Sequence, residues 1–222
     1  MRTLGALIWK DLVIEARTRE LVTSMGLVAF LALVIQNLAL GPSSRLGTAA
    51  APAVVWVTVS FAATLGLARA HAIEQEGQAL QGLLMTPVSR SLLYLGKCGA
   101  NLVVVLILQI VVVVATAVLF TADVGRHLMW LSLPLVLGAV GFTAIGTLLG
   151  AMTSATRLRE VLLPILLLPV ALPVIMLSLA GIGAVLDDRG LTELLRSLKL
   201  LGAVDIIFGM LGMWLFAYVV EE

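Results

Sequence analysis

HAIEQEGQALQGLLMTPVSRSLLYLGK, residues 71 to 97, is the longest stretch of this 222-residue chain that is neither a membrane span nor a short turn. Ile73, Leu80, Leu83 and Leu84 fall at roughly helical spacing, while Glu74, Gln75, Glu76, Gln78 and Gln81 occupy the remaining surface, which predicts one short amphipathic helix. Pro87 cannot continue that helix and biases Thr86 towards extended backbone. Ser89 then offers a cap for a second helix running through Leu92, Leu93 and Leu95 into the next apolar segment. A helix, a break and a helix between two spans is either a float on the lipid surface or a handle for a soluble partner. We read it as the handle.

Outward from this stretch the chain is nearly all membrane. It is 61% hydrophobic and 12% charged, against about 45–50% and about 25% in an ordinary soluble domain. Little is left for an aqueous site once the spans are removed, so nucleotide hydrolysis is expected in another chain and no catalytic residue is assigned to this one. The net charge of +1 lacks the clustered basic face of a nucleic-acid binder. A single cysteine, Cys98, excludes an internal disulfide and a multi-cysteine metal site. The opening MRTLGALIWKDLVIEARTRE carries Asp11, Glu15 and Glu20 among its bases and does not read as a signal peptide.

The expected fold is an all-α polytopic membrane protein, a single transmembrane unit over residues 1–222. An interfacial helix covers 1–20, with Leu4, Leu7, Ile8, Leu12 and Val13 on one face. Six spans follow at 21–40, 50–70, 98–120, 128–152, 161–185 and 201–220, each close to the ~20 apolar residues that cross the hydrocarbon core. Arg2, Lys10, Arg17, Arg19, Arg69, Arg90, Lys97, Arg157 and Arg159 lie on one side, against Arg45, Arg126, Arg189, Arg196 and Lys199 on the other. That bias places both termini and residues 71–97 in the cytoplasm. Within the last outer loop, Leu191, Leu194, Leu195 and Leu198 predict a second amphipathic stretch on the outer leaflet or folded partly back.

The sequence shows no phosphate-binding motif, no metal-ligand spacing and no histidine pair. His71 and His127 read as interfacial histidines, with His127 beside Trp130 kept as a candidate contact for a ligand or partner. No charged residue is expected deep inside a span, and Asp205 is placed near the start of the sixth, which disfavours an ion-coupled carrier. Gly138, Gly141, Gly146 and Gly150 suit close helix approach, equally within the chain or at a dimer seam. Pro164, Pro169 and Pro173 interrupt the fifth span and predict a helix break or gating flexibility. Six spans with a cytoplasmic handle and no energy source suggest that a partner ATPase grips the handle and rocks the spans.

An interfacial helix, six spans and a cytoplasmic helix after the second resemble the membrane subunits of type-2 ABC exporters, an ABC-2 or type V exporter-like fold. In those proteins the corresponding loop has an acidic-Gly pair, leucines, a proline, a base and a lysine. This chain has Glu76-Gly77, Leu80, Leu83-Leu84, Pro87, Arg90 and Lys97. A narrower resemblance is to the CcmB family, heme exporter protein B of the cytochrome c maturation system. It rests on Ala51-Pro52 with Trp56-Val57, on EQEGQALQGLLMTP at 74–87, and on LLPILLLPVALP at Leu162 to Pro173.

The resemblance implies a multi-pass permease subunit of the bacterial inner membrane, not itself an enzyme. It would be a homodimer with a CcmA-like ABC ATPase that holds ATP and magnesium. It would work beside a CcmC-like heme-handling membrane protein, a small membrane subunit and a periplasmic heme chaperone. Heme enters as cargo, with no cofactor bound by this chain. By the same analogy Glu74, Glu76, Gly77, Leu80, Gln81, Leu83, Leu84 and Pro87 form a coupling helix against the ATPase. The family pattern supplies no heme ligand, so His127 and Trp130 stay candidates for heme or partner contact. The alternatives are an ABC-2 permease for another lipid, drug or glycan, and a non-transporting scaffold of a membrane assembly.

Overall fold

The structure, a computed structural model, describes residues 2–41, 45–76, 89–120, 128–154, 159–187 and 189–219. These residues form seven helices and no strand: α1 (Arg2–Thr18), α2 (Glu20–Leu40), α3 (Arg45–Glu76), α4 (Arg90–Leu119), α5 (Leu128–Ser154), α6 (Arg159–Leu186) and α7 (Leu191–Val219). Helices α2 to α7 are long and apolar enough to cross a membrane.

Local chemistry explains the ends. Between α1 and α2 only Arg19 leaves the helical region, with a left-handed φ of 55°. The corner is closed by Glu15, which is buried; its Oε1 accepts the Val22 N–H at 2.9 Å and satisfies one of the open donors at the start of α2. Gly41, at φ 78°, ends α2, and its N–H donates to the Asn37 carbonyl at 3.0 Å. At the head of α4, Ser89 is extended, and its carbonyl accepts the Leu92 and Leu93 N–H groups at 3.0 and 3.1 Å.

Several sequence expectations are revised. The helix that carries the second span does not stop at residue 70: α3 continues through Glu76, so His71 and Glu74 lie in that same helix. Gly77, Leu80, Gln81, Leu83, Leu84 and Pro87 lie outside the described residues. The stretch expected on the outer leaflet, Leu191 to Leu198, is instead the opening of α7, because nothing between Leu191 and Leu201 disfavours helix. Pro164, Pro169 and Pro173 do not break α6, which runs continuously from Arg159 to Leu186. Pro169 and Pro173 are exposed and lie one turn apart on α6.

The bundle is built around α5, which packs against α3, α4, α6 and α7. The main core includes Trp56, Val59, Phe142, Ile145, Leu163, Leu167, Val174 and Leu201. A separate small cluster, Leu93, Tyr94, Leu148, Ala151 and Phe216, lies at the end where α3 stops and α4 begins. The amino-terminal helix joins that end: Leu7 and Ile8 of α1 enter α4 at Gly96 and Gly99, where a Cβ would lie 3.0 Å from Leu7 Cβ and 2.6 Å from Ile8 Cδ1.

Candidate functional site

Residues 77–88 connect two described stems. The outgoing stem is the end of α3. Leu67 fills the notch at Gly146 of α5, and one turn later the buried His71 ring lies over Gly150. His71 Nδ1 is 2.8 Å from the Leu67 carbonyl, which can only accept, so this nitrogen carries the hydrogen. The returning stem is the start of α4. Tyr94 is almost fully buried and its hydroxyl donates to the Ala144 carbonyl at 2.9 Å. The same ring lies on Gly212 and is 5.6 Å from Phe216 of α7. Both stems therefore seat on the same end of α5, from two sides.

Several polar side chains in the spans bond between helices. Trp56 Nε1 donates to Ser178 Oγ at 3.1 Å, and Ser178 donates to the Pro134 carbonyl at 2.6 Å, which ties α3, α6 and α5 together. Gln36 reaches Thr58 at 2.9 Å, Asn101 reaches Thr147 at 3.0 Å, and Asn37 and Gln109 reach the carbonyls of Leu119 and Leu135. Such bonds hold transmembrane helices together at about 0.6 kcal/mol on average. Gly138 and Gly141, left open between packing and a dimer seam, also pack inside the chain, against Trp56 and Asp205.

Asp205 is the residue that sequence reasoning misplaced. It lies midway along α7, in the inward stripe Leu194, Leu198, Leu201, Asp205, Phe208, Gly212, Phe216. Its Oδ1 is buried against Gly141, with no hydrogen-bond partner among the described residues. A carboxyl group at this depth is costly in hydrocarbon. The three- and four-residue spacing of the stripe is visible in the sequence; starting the helix at 201 instead of 191 hides it.

Of the other candidates, Glu74 and Glu76 lie in the last turns of α3. Trp130 is exposed near the start of α5, and its neighbour His127 lies outside the described residues. Pro164 is half-buried. Among the described residues no group of three or more His, Cys, Asp or Glu is placed to hold a metal ion.

The fold and this stem region define a six-span, all-helical membrane protein with its longest polar insertion between the second and third spans. Within that class, the chain belongs to the CcmB protein family, whose model matches residues 2–221. It is 27% identical over 167 residues to heme exporter protein B of Rhodobacter capsulatus, covering 75% of this chain and 74% of that protein. It is 29% identical over 165 residues to heme exporter protein B of Pseudomonas aeruginosa, covering 72% of each.

Proposed function

We propose that this chain is the membrane permease subunit of a heme-exporting ABC transporter in cytochrome c maturation. The observation that carries this reading is the family match along nearly the whole chain, with relatives named heme exporter protein B, on a six-span bundle. A partner ATPase, in this reading, binds the cytoplasmic element of residues 71–97 through Glu74, Glu76, Gly77, Leu80, Gln81, Leu83, Leu84 and Pro87. Its opening and closing rocks a dimer of these bundles in the inner membrane. The outcome is heme transfer or release of a heme-loaded periplasmic chaperone.

Purification from the native membrane in mild detergent, with mass spectrometry and a visible absorption spectrum, tests this. The expected result is an ATPase and a heme-handling membrane protein in the same complex, with a Soret band that leaves with the latter. An ATPase without heme or maturation partners points instead to a general export permease. Glu76→Lys, or deletion of residues 74–85, is expected to leave the spans inserted and abolish ATPase co-purification. Normal co-purification by both variants removes the coupling assignment.

A further inference from the structure

We propose that His71 and Tyr94 are positioning residues that gear the segment 77–88 to α5 and α7; this inference rests on the ATPase-binding reading of that segment. Two kinds of contact carry it. From α3, the His71 ring is seated directly on the Gly150 backbone, with no side chain between them, and its orientation is set by the Nδ1 bond to Leu67. A Cβ at Gly150 would lie 2.6 Å from His71 Nδ1 and 2.7 Å from Nε2, so no other residue type leaves that seat unchanged. From α4, Tyr94 does not merely fill space: its hydroxyl is bonded to the Ala144 carbonyl while the ring covers Gly212 and meets Phe216.

The surroundings make these contacts suitable for transmitting displacement. Tyr94 sits in a small cluster with Leu148, Ala151 and Phe216, which ties the start of α4 to both α5 and α7. Close-packed contacts between rigid helices pass a displacement on, because interiors at this density compress little. A pull on residues 77–88 moves the ends of α3 and α4 together. His71 and Tyr94 deliver that motion to α5 one turn and more apart, at Gly150 and Ala144, and Tyr94 delivers it also to α7. Leu7 and Ile8 brace the other side of α4 at Gly96 and Gly99, so the returning stem cannot swing freely into lipid.

The test uses the complex purified from the native membrane and compares the wild type with Gly150→Ala, the double variant Gly150→Ala with His71→Ala, and Tyr94→Phe. Two quantities are read: the amount of co-purifying ATPase, and the ATP-dependent change in hydrogen exchange of α5 peptides. Gly150→Ala and Tyr94→Phe are expected to keep the ATPase and lose the ATP-dependent change. The double variant, in which the new methyl has room but the His71 ring is gone, is expected to stay without the change, and a recovered response there overturns the role of His71. An unchanged ATP response in Gly150→Ala and Tyr94→Phe overturns the inference while leaving the proposed function intact. Loss of the ATPase from all three variants also overturns it, since the stems would then build the docking surface. Absence of an ATPase from the wild-type complex overturns the proposed function and this inference with it.

Discussion

Helices α5 and α7 are both long and apolar, yet two-thirds of the most apolar window of α5 is buried, 67%, against 11% for α7. Hydrophobicity does not explain the difference, since lipid is as apolar as a protein core. Residue size does. Where α5 carries Gly138, Gly141, Gly146 and Gly150, the side chains of Trp56, Asp205, Leu67 and His71 come down onto its backbone. Along the outward side of α7, Ile206, Ile207, Met210 and Trp214 are all exposed, and only the stripe from Leu194 to Phe216 turns inward. In a bilayer, small residues decide which helix is central, and large ones mark the face left to lipid or to another subunit.

The largest expected effect that breaks this comparison is Gly146→Leu. It drives a branched side chain into the seat of Leu67 and is expected to cost about 3 kcal/mol or more, overpacking at a site with no room to relax. Size-exclusion of the detergent-purified protein reads it as aggregation or a much lower thermal midpoint; a normal profile would show that α3 does not rest on α5 at that point. Ser178→Ala is next. It leaves the Trp56 N–H unpaired in a buried site, at about 1–3 kcal/mol, and lowers the thermal midpoint. Tyr94→Phe removes one hydroxyl bond and is expected to cost about 1 kcal/mol, measured the same way.

Two smaller changes sharpen the contrast from the α7 side. Asp205→Asn keeps the shape against Gly141 and removes an ionisable group from mid-span, so the thermal midpoint is expected to rise slightly. A fall would reveal a partner for the carboxylate beyond the described residues. Met210→Leu, on the exposed face of α7, is expected to stay within about 0.5 kcal/mol of the wild type in the isolated chain. A much larger loss in the native complex than in the isolated chain would mark that face as a subunit contact.

Much of the fold is legible from length and hydropathy alone. Six apolar runs, the stop at Gly41, and a helix starting after Ser89 and running into the third span all follow from the order of side chains along the chain. Boundaries are less legible, because polarity is a poor guide to where a helix in a membrane protein stops. His71 to Glu76 and Leu191 to Leu198 carry polar residues, yet both continue their spanning helices, since nothing in either stretch breaks the hydrogen-bond ladder. The prolines of α6 mislead in the opposite direction: Pro164, Pro169 and Pro173 each remove a backbone donor, yet the helix continues from Arg159 to Leu186.

The candidate site divides in the same way. The acidic and leucine pattern of residues 74–87, on which the proposed handle rests, is visible in the sequence. That His71 sits on Gly150 and Tyr94 on Gly212 is not, since each pair is brought together by helices distant in the chain. Sequence by itself determined the membrane class, the number of spans and the position of the polar loop, because each follows from the free energy of placing a run of side chains in hydrocarbon. Only the tertiary structure decided that α5 is the hub, that the glycines of α5 serve this chain's own packing, and that Asp205 lies at mid-span in a buried seam. Those depend on which backbones approach closely, a property of pairs of helices that no single run of residues carries.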